Sequence, residues 1–157
     1  MSTSEFELVN LFRGRSLTLT LAESCTGGMV AMRVTAVPGP SDVFLGGVVS
    51  YANAVKRDVL GVLQAILDTH GAVSAPCAEA MAEGVRKRLG ADIGVSVTGI
   101  AGPGGGTPQK PVGLVFIGVS TPAGTRAEQH IFTGDRQSIR AQATDAALAA
   151  ATRCLIG

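Results

Sequence analysis

The sequence predicts an α/β fold in which a mixed β-sheet lies between two layers of helices. Apolar strand patterns alternate with helical patterns through the first hundred residues, which is typical of parallel strands joined by helices. Two further strand patterns follow each other across the turn signal TPAGTR, which indicates an antiparallel hairpin. A long Ala-rich helical pattern then closes the chain. We therefore expect a three-layer α/β/α domain whose antiparallel strands come from the C-terminal end.

The individual elements carry recognisable start and stop signals. Ser74 can cap the clearest helix, Pro76 lies in its first turn, and Gly90 ends it. The Gly pair in VFLGGVVSY indicates a bulge or a close backbone approach within a strand. Expected helices span about 4–13, 26–35 (ending at Pro38-Gly39-Pro40), 52–58, 60–71, 74–90 and 135–154, and expected strands span 17–21, 43–51, 93–98, 112–120 and 127–132.

The composition excludes several classes of protein. A hydrophobic content of 46% with 16% charged residues argues against disorder, and 157 residues suit one domain over residues 1–157. A net charge of +1 gives no argument for nucleic acid, and the absence of Trp leaves little with which to stack bases. No apolar run approaches the roughly 20 residues that a membrane-spanning helix needs. We therefore expect a cytoplasmic protein with no nucleic-acid or membrane partner.

Cysteine and histidine are too few and too scattered to form a metal site. The three cysteines are Cys25, Cys77 and Cys154, and no CxxC spacing occurs among them. The two histidines, His70 and His130, have no obvious local partner ligand. Neither a disulfide framework nor a metal centre is expected.

The stretch AESCTGG lies where a strand pattern turns into a helical pattern. Ser24 would have its oxygen exposed there, with helix N–H groups nearby to bind an oxyanion. The G-x-S-x-G elbow is not present, because Ala22 and Thr26 occupy the two glycine positions. Ser24 or Thr26 could instead cap the helix, and Cys25 could be the nucleophile with His70 as its partner. The local sequence leaves these alternatives open.

A serine nucleophile needs a base, and a lysine can serve if its pKa is lowered. Tyr51 and Lys56 follow the glycine-bearing strand in SYANAVKRD. In open α/β sheets the carboxyl ends of parallel strands line the ligand crevice, so Ser24, Tyr51 and Thr98 could converge there. The alternative for Lys56 is a solvated helix charge beside Arg57.

The segment TGIAGPGGGTPQKP, residues 98–111, holds five glycines and three prolines. Such a backbone can present N–H groups to a phosphate or a carboxamide. It is not a Walker A loop, since Lys110 lies between Gln109 and Pro111. A surface connection without a ligand is the alternative, although loops of this length in compact domains are usually functional.

The segment FTGDRQSIR opens the last predicted helix. Arg136 and Arg140 are four residues apart and share a helix face, which suits a phosphate or carboxylate clamp. The alternative is an Asp135 cap followed by two solvated arginines.

Taken together, the segments LAESCTGG, SYANAVKRDVLGV, HGAVS, VTGIAGPGGGTPQKPVGLVFIG and FTGDR resemble the CinA C-terminal domain family. The resemblance runs in the same order over most of the chain. It implies nicotinamide-nucleotide amidase activity, which hydrolyses nicotinamide mononucleotide to nicotinate mononucleotide and ammonia without a metal or organic cofactor. Longer members carry an additional N-terminal domain, so we expect none of that domain's activity here.

The resemblance also implies roles for individual residues. Ser24 would be the nucleophile and Lys56 its base, with Tyr51 assisting. Arg140 would be the preferred phosphate partner, and Ala52 stands where many members carry a polar residue. The implied substrate-binding residues are Cys25, Thr26, Gly27, Thr98, Gly99, Gly102, Gly104, Gly105, Arg136 and Arg140, the backbone N–H groups of Cys25 and Thr26 serving the oxyanion.

Two further expectations concern partners. The apolar composition and the Ala-rich final helix leave room for a subunit interface, so we expect a homo-oligomer that binds a small nucleotide. A non-catalytic nucleotide-binding or regulatory module of the same fold is the alternative function.

Overall fold

The computed structural model describes residues 5–39 and 41–156. The predicted helix start at residue 4 and the Pro40 of the predicted stop therefore lie outside the described residues. The elements are α1 (Glu5–Gly14), β1 (Leu19–Glu23), α2 (Met29–Thr35), β2 (Phe44–Val49), α3 (Asn53–Asp58), α4 (Gln64–His70), α5 (Ala75–Leu89), β3 (Ile93–Gly99), β4 (Leu114–Thr121), β5 (Gly124–Ile131) and α6 (Arg136–Ile156).

The five strands form one mixed sheet in the order β2-β1-β3-β4-β5. Strand β1 is parallel to both of its neighbours, β2 and β3, whereas β4 runs antiparallel to β3 and to β5. The parallel strands are those that helices connect, and β4 and β5 form the predicted antiparallel hairpin. The predicted three-layer α/β/α fold with a mixed sheet is confirmed.

Helices cover both faces of the sheet. On one face α1, α2 and α6 pack together and form the larger apolar core with the strands, which includes Phe12, Val34 and Leu148. On the other face α5 packs across the sheet, and a smaller core under α4 and α5 includes Leu60 and Met81. Most of the described strand residues in β1, β3 and β4 are buried, as expected for strands between two helical layers.

The small residues of α6 are used inside the domain. Ala143, Ala147, Ala150 and Ala151 are all buried in the larger core, where their size lets α6 lie close to the sheet. The Ala-rich face on which we expected room for a subunit interface is therefore already covered by this chain.

The second helix begins later than the predicted start at Thr26. Residues 25–28 form a turn, and α2 begins only at Met29. Gly27 and Gly28 have φ angles of 58° and 106°, so the backbone cannot be helical there. The helix therefore begins about one turn later than predicted, and farther from Ser24.

Three other predicted boundaries also move. The helix predicted over 60–71 is interrupted at Gly61, which has a φ of 77°, so α4 starts at Gln64. Strand β1 runs on to Glu23, two residues beyond the predicted end. The hairpin turn is tighter than predicted, because Thr121 already pairs with Gly124.

By contrast, the signals for α5 are confirmed: the Ser74 hydroxyl accepts from the amide of the residue three positions on, and Gly90 ends the helix in a left-handed conformation.

No helix among the described residues combines the length and the apolar character that crossing a bilayer requires.

Candidate active site

The carboxyl ends of the three parallel strands meet at one edge of the sheet. Ser24 follows β1, Tyr51 follows β2, and Thr98 and Gly99 end β3. The structure thus brings together the side chains that the sequence placed at strand ends. They line a cleft of about 210 Å³, whose wall consists of Ser24, Cys25, Tyr51, Asn53, Lys56, Ala72, Val73, Thr98, Gly99, Ala101 and Arg136.

Ser24 and Lys56 are in direct hydrogen-bond contact in this cleft. Lys56 Nζ lies 3.1 Å from Ser24 Oγ. Lys56 is only 1% exposed although it belongs to the short surface helix α3, so it is not the solvated charge that was the alternative for it. Its amine also donates to the Ser50 carbonyl at 2.7 Å and to the Tyr51 carbonyl at 3.0 Å. The chain therefore buries an amine against a serine hydroxyl and two carbonyls.

The surroundings of Lys56 favour the neutral amine. Burial lowers the pKa of Lys56 from its ordinary value, because the charged form loses its hydration; the neighbouring thiols Cys77 and Cys25 raise it by less. A neutral amine has two N–H donors and one lone pair. The carbonyls of Ser50 and Tyr51 can take the two donors, which leaves the lone pair free to accept the Ser24 hydroxyl proton.

A buried carboxylate occupies the start of α2. Glu23, at the end of β1, is 2% exposed and accepts four hydrogen bonds. The donors are the Thr26 hydroxyl at 2.6 Å and the backbone amides of Gly28, Val30 and Ala31 at 3.2, 3.0 and 2.9 Å.

This carboxylate changes the expected role of the helix terminus. A helix N-terminus attracts negative charge through its unpaired N–H groups, and Glu23 supplies that charge from within the chain. The start of α2 is therefore not available for an oxyanion, contrary to the sequence-based expectation. Neither Ser24 nor Thr26 caps the helix by accepting from its amides, so the capping alternative for these two residues is wrong as well.

The backbone next to the nucleophile is held by Arg140. Its guanidinium donates through Nε to the Cys25 carbonyl at 2.9 Å and through Nη2 to the Thr26 carbonyl at 3.2 Å. Among the described residues, no backbone carbonyl accepts from the amides of Cys25 and Thr26, and the Cys25 amide faces its own thiol. Of these two residues Cys25 lines the cleft, whereas Thr26 is fully buried, and the Gly27 amide donates to the Ser24 carbonyl at 3.1 Å.

The Cys25 thiol does not have the character of a nucleophile. It is buried, and burial raises its pKa to about 11 instead of lowering it as expected at a helix start. At neutral pH the group is a protonated thiol. His70, the partner considered for it, lies at the end of α4 and is not among the residues that line the cleft.

Arg136 is the arginine that reaches the cleft. It lines the cleft wall, and its guanidinium donates to the Gly102 carbonyl at 2.8 Å and to the Tyr51 hydroxyl at 3.4 Å. Arg136 and Arg140 thus share a helix face but have different contacts, since one turns to the cleft and the other to the turn after Ser24. The Tyr51 side chain is 62% exposed, and its hydroxyl contacts Arg136 rather than the serine or the lysine.

Thr98 and the glycines have contacts of different kinds. The Thr98 hydroxyl donates to the Ala72 carbonyl at 2.9 Å, which ties the end of β3 to the segment before α5. A Cβ at Gly99 would come within 2.8 Å of the Leu114 carbonyl oxygen, so the strand needs glycine there for packing. Gly104 and Gly105 are exposed on the loop and do not line the cleft.

The cleft is not the largest cavity of the molecule. A groove of about 510 Å³ lies between α4 and α5, lined among others by Leu60, Leu63 and Lys87. None of the predicted site residues lines it. We place the site in the smaller cleft because a nucleophile and a buried base meet there.

Two functional features escaped the sequence analysis. The sequence analysis gave Glu23 no role, and its hydrogen bonds to amides seven and eight residues ahead follow no local capping rule. Asn53 lines the cleft at the first position of α3. Its signal was its place two residues after Tyr51, at the start of the helix predicted over 52–58.

The fold and the cleft together define a three-layer α/β/α protein with a serine–lysine pair at the carboxyl edge of its parallel strands. The model of the CinA C-terminal domain matches residues 2–155, and the chain belongs to this family. The sequence is 54% identical over 134 residues to a CinA-like protein of Gemmatimonas aurantiaca, covering 85% of this chain and 31% of that protein. It is 57% identical over 130 residues to a CinA-like protein of an Anaeromyxobacter species, covering 83% of this chain and 32% of that protein. The chain therefore spans about a third of the length of these relatives.

Solved structures of the superfamily match over almost the entire chain. A CinA superfamily protein from Klebsiella pneumoniae superposes with a TM-score of 0.92 at 34% identity, covering 98% of this chain and 99% of that one. A competence/damage inducible protein from Agrobacterium tumefaciens superposes with a TM-score of 0.89 at 39% identity, covering 100% of both chains.

Proposed function

We propose that the protein is an amidohydrolase that converts nicotinamide mononucleotide to nicotinate mononucleotide and ammonia. The observation that carries the proposal is the contact of 3.1 Å between Lys56 Nζ and Ser24 Oγ in a buried setting. An amine whose pKa is lowered by burial can act as the base for a serine hydroxyl, and this pair needs no third side chain to act. Membership of the CinA C-terminal domain family supports the choice of a pyridine nucleotide as substrate.

The reaction starts with proton transfer inside the pair. Lys56 takes the proton of the Ser24 hydroxyl while Oγ attacks the carboxamide carbon, so that an O–C bond forms and the carbonyl oxygen becomes an oxyanion. The proposal assigns the backbone amides of Cys25 and Thr26, the two residues after Ser24, as the donors to this oxygen. One such donor is worth about 3 kcal/mol in the transition state.

The leaving group then departs with the same proton. Lys56 returns it to the amide nitrogen, the C–N bond breaks, and ammonia leaves an acyl-enzyme on Ser24. Water attacks the acyl carbon, its proton passes to Lys56, and the ester bond breaks to release the carboxylate product. Lys56 returns this proton to the Ser24 oxygen as the ester bond breaks. Both side chains are then in their starting states, and no reagent other than water is consumed.

The other end of the substrate needs a cation. Arg136 lines the cleft with an exposed guanidinium, so the proposal gives it the phosphate of the nucleotide. Binding energy from this remote group positions the carboxamide against Ser24. Gly102 and the rest of the glycine loop, to which Arg136 is bonded, would complete this end of the site.

The test is ammonia release by the purified protein across a panel of nucleotide amides, with Ser24→Ala as the matched inactive variant. Release from nicotinamide mononucleotide by the wild type and its loss in Ser24→Ala would support the proposal. Tight nucleotide binding without release would instead favour a non-catalytic nucleotide-binding module of the same fold.

The proposal also includes the expected location and assembly. We propose a cytoplasmic protein, which is supported by three cysteines that are all free, as in a reducing compartment. We also propose a homo-oligomer whose interface lies away from the buried alanines of α6, and sedimentation equilibrium measures its mass directly.

A further inference from the structure

Arg140 holds the peptide group that follows the nucleophile. Its two bonds, at 2.9 Å to the Cys25 carbonyl and at 3.2 Å to the Thr26 carbonyl, come from one planar guanidinium. A planar fork fixes the direction of both acceptors, because its donors cannot rotate independently. A lysine at the same place would offer a point charge without this geometry.

The Cys25 carbonyl and the Thr26 N–H belong to the same planar peptide group. A cationic donor on the carbonyl oxygen therefore fixes the orientation of the whole peptide group, and with it the turn that carries Ser24. We propose that Arg140 is a positioning residue for the turn that follows Ser24, holding the peptide groups of Cys25 and Thr26 in place beside the nucleophile, and that it does not bind the substrate's phosphate.

The start of α2 offers no competing oxyanion site. Its amides from Gly28, Val30 and Ala31 already donate to the Glu23 carboxylate. A substrate oxyanion at Ser24 is thus left with the amides of the turn itself. The Glu23 carboxylate thus completes the start of the helix, and the Arg140 guanidinium holds the turn before it.

The two arginines divide the roles that the sequence assigned to them jointly. Arg136 lines the cleft, whereas Arg140 is not among the residues of the cleft wall. Arg140 donates through Nε and Nη2 to backbone carbonyls. A phosphate would therefore have to compete with the turn after Ser24 for these two donors. This inference rests on the proposed function for its substrates, but it concerns a turn that the structure already contains.

The test compares nicotinamide mononucleotide with its riboside, which lacks the phosphate. Arg140→Gln is expected to lower kcat by the same factor with both substrates, about 10- to 100-fold, which is below the roughly 10²- to 10³-fold effect of losing an oxyanion donor outright. Arg140→Lys is expected to recover only part of this loss, because it restores charge without the fork. Arg136→Gln is the matched variant, and its effect is expected in KM for the phosphorylated substrate. Arg126→Gln, an exposed arginine on β5, should change neither constant.

A second readout needs no nucleotide. A small fluorophosphonate modifies an activated serine: Ser24 Oγ bonds to phosphorus, fluoride leaves, and Lys56 takes the proton. The rate of this labelling should fall in Arg140→Gln and Arg140→Lys and stay unchanged in Arg126→Gln. Wild-type labelling without any amide turnover would sink the proposed function, while this comparison would still decide the role of Arg140.

Two results would overturn the inference. One is a loss in Arg140→Gln that is confined to the phosphorylated substrate and expressed in KM, since that is the behaviour of a phosphate ligand. The other is Ser24 labelling at the wild-type rate in a folded Arg140 variant. If Arg140→Gln does not fold, as judged by circular dichroism, Arg140→Lys carries both comparisons.

Discussion

Lys56 Nζ lies 3.1 Å from Ser24 Oγ, although the two residues are 32 positions apart in the chain. Ser24 comes from the turn after β1 and Lys56 from α3 after β2, and these strands are parallel neighbours. Their carboxyl ends must therefore meet at one edge of the sheet. The pair is a consequence of topology, and its chemistry follows from the burial of the amine.

The first prediction separates the two candidate nucleophiles. Ser24→Ala should lower kcat for amide hydrolysis by about 10⁴-fold or more, as for other serine nucleophiles. Cys25→Ala should cost less than about tenfold, because a thiol whose pKa is raised to about 11 is protonated at neutral pH. Ammonia release measures both variants. The opposite order would make Cys25 the nucleophile.

The second prediction concerns pH. Only neutral Lys56 can accept the serine proton, so kcat/KM should rise with pH as the lysine loses its own proton. Because burial lowers the pKa of Lys56, this rise should be centred below the ordinary lysine value of about 10.4. Lys56→Ala should abolish most activity and remove this limb of the profile, whereas Arg57→Ala, its exposed neighbour, should leave it in place. A profile that is flat over this range would contradict the role of Lys56 as base.

The third prediction concerns Tyr51. Its hydroxyl contacts Arg136 at 3.4 Å and touches neither member of the pair, while its carbonyl accepts from Lys56. Tyr51→Phe keeps the carbonyl and removes only the hydroxyl. We therefore expect kcat to change less than about threefold and KM to rise, since the loss of one hydrogen bond to a charged group is worth about 1.5–3 kcal/mol at most. A large fall in kcat would show that the hydroxyl relays the proton.

The order of elements and the place of the cleft were predictable because they depend on local signals. Strand and helix periodicities mark the alternation, and a parallel arrangement of β1, β2 and β3 then brings their ends together. The start of α2 was not predictable to within a turn. It depends on the left-handed backbone at Gly27 and Gly28, and a glycine pair is compatible with a helix start on either side.

The different contacts of Arg136 and Arg140 could not be predicted from the sequence either. Residues four apart share a helix face, but they are separated by about one turn, or about 5.4 Å along the axis. That distance decides whether a guanidinium reaches the cleft or the backbone of the preceding turn, and it depends on how α6 docks. In the same way, the buried Lys56 amine finds its acceptors in the backbone carbonyls of Ser50 and Tyr51. A pattern of side chains in the sequence cannot predict such backbone contacts.

The last prediction concerns the stability that Glu23 supplies. Its carboxylate is the acceptor for the Thr26 hydroxyl and for three amides at the start of α2, all inside the domain. Glu23→Ala removes the acceptor and leaves the buried Thr26 hydroxyl and Val30 amide unpaired, together with the half-buried amides of Gly28 and Ala31, which should lower the free energy of unfolding by about 3 kcal/mol. Glu23→Gln retains one acceptor oxygen but replaces the other with a donor facing Ala31 N–H, so a loss of about 2 kcal/mol is expected.

Urea unfolding followed by circular dichroism measures both losses through the shift of the midpoint at constant slope. Glu79→Ala on α5 is the matched control, since a substitution on a partly exposed helix surface should stay within about 0.5 kcal/mol. If Glu23→Ala were as stable as Glu79→Ala, the helix would not depend on the carboxylate. The amides of α2 would then be open to an oxyanion after all, and the role that we give to the Cys25 and Thr26 amides would lose its main support.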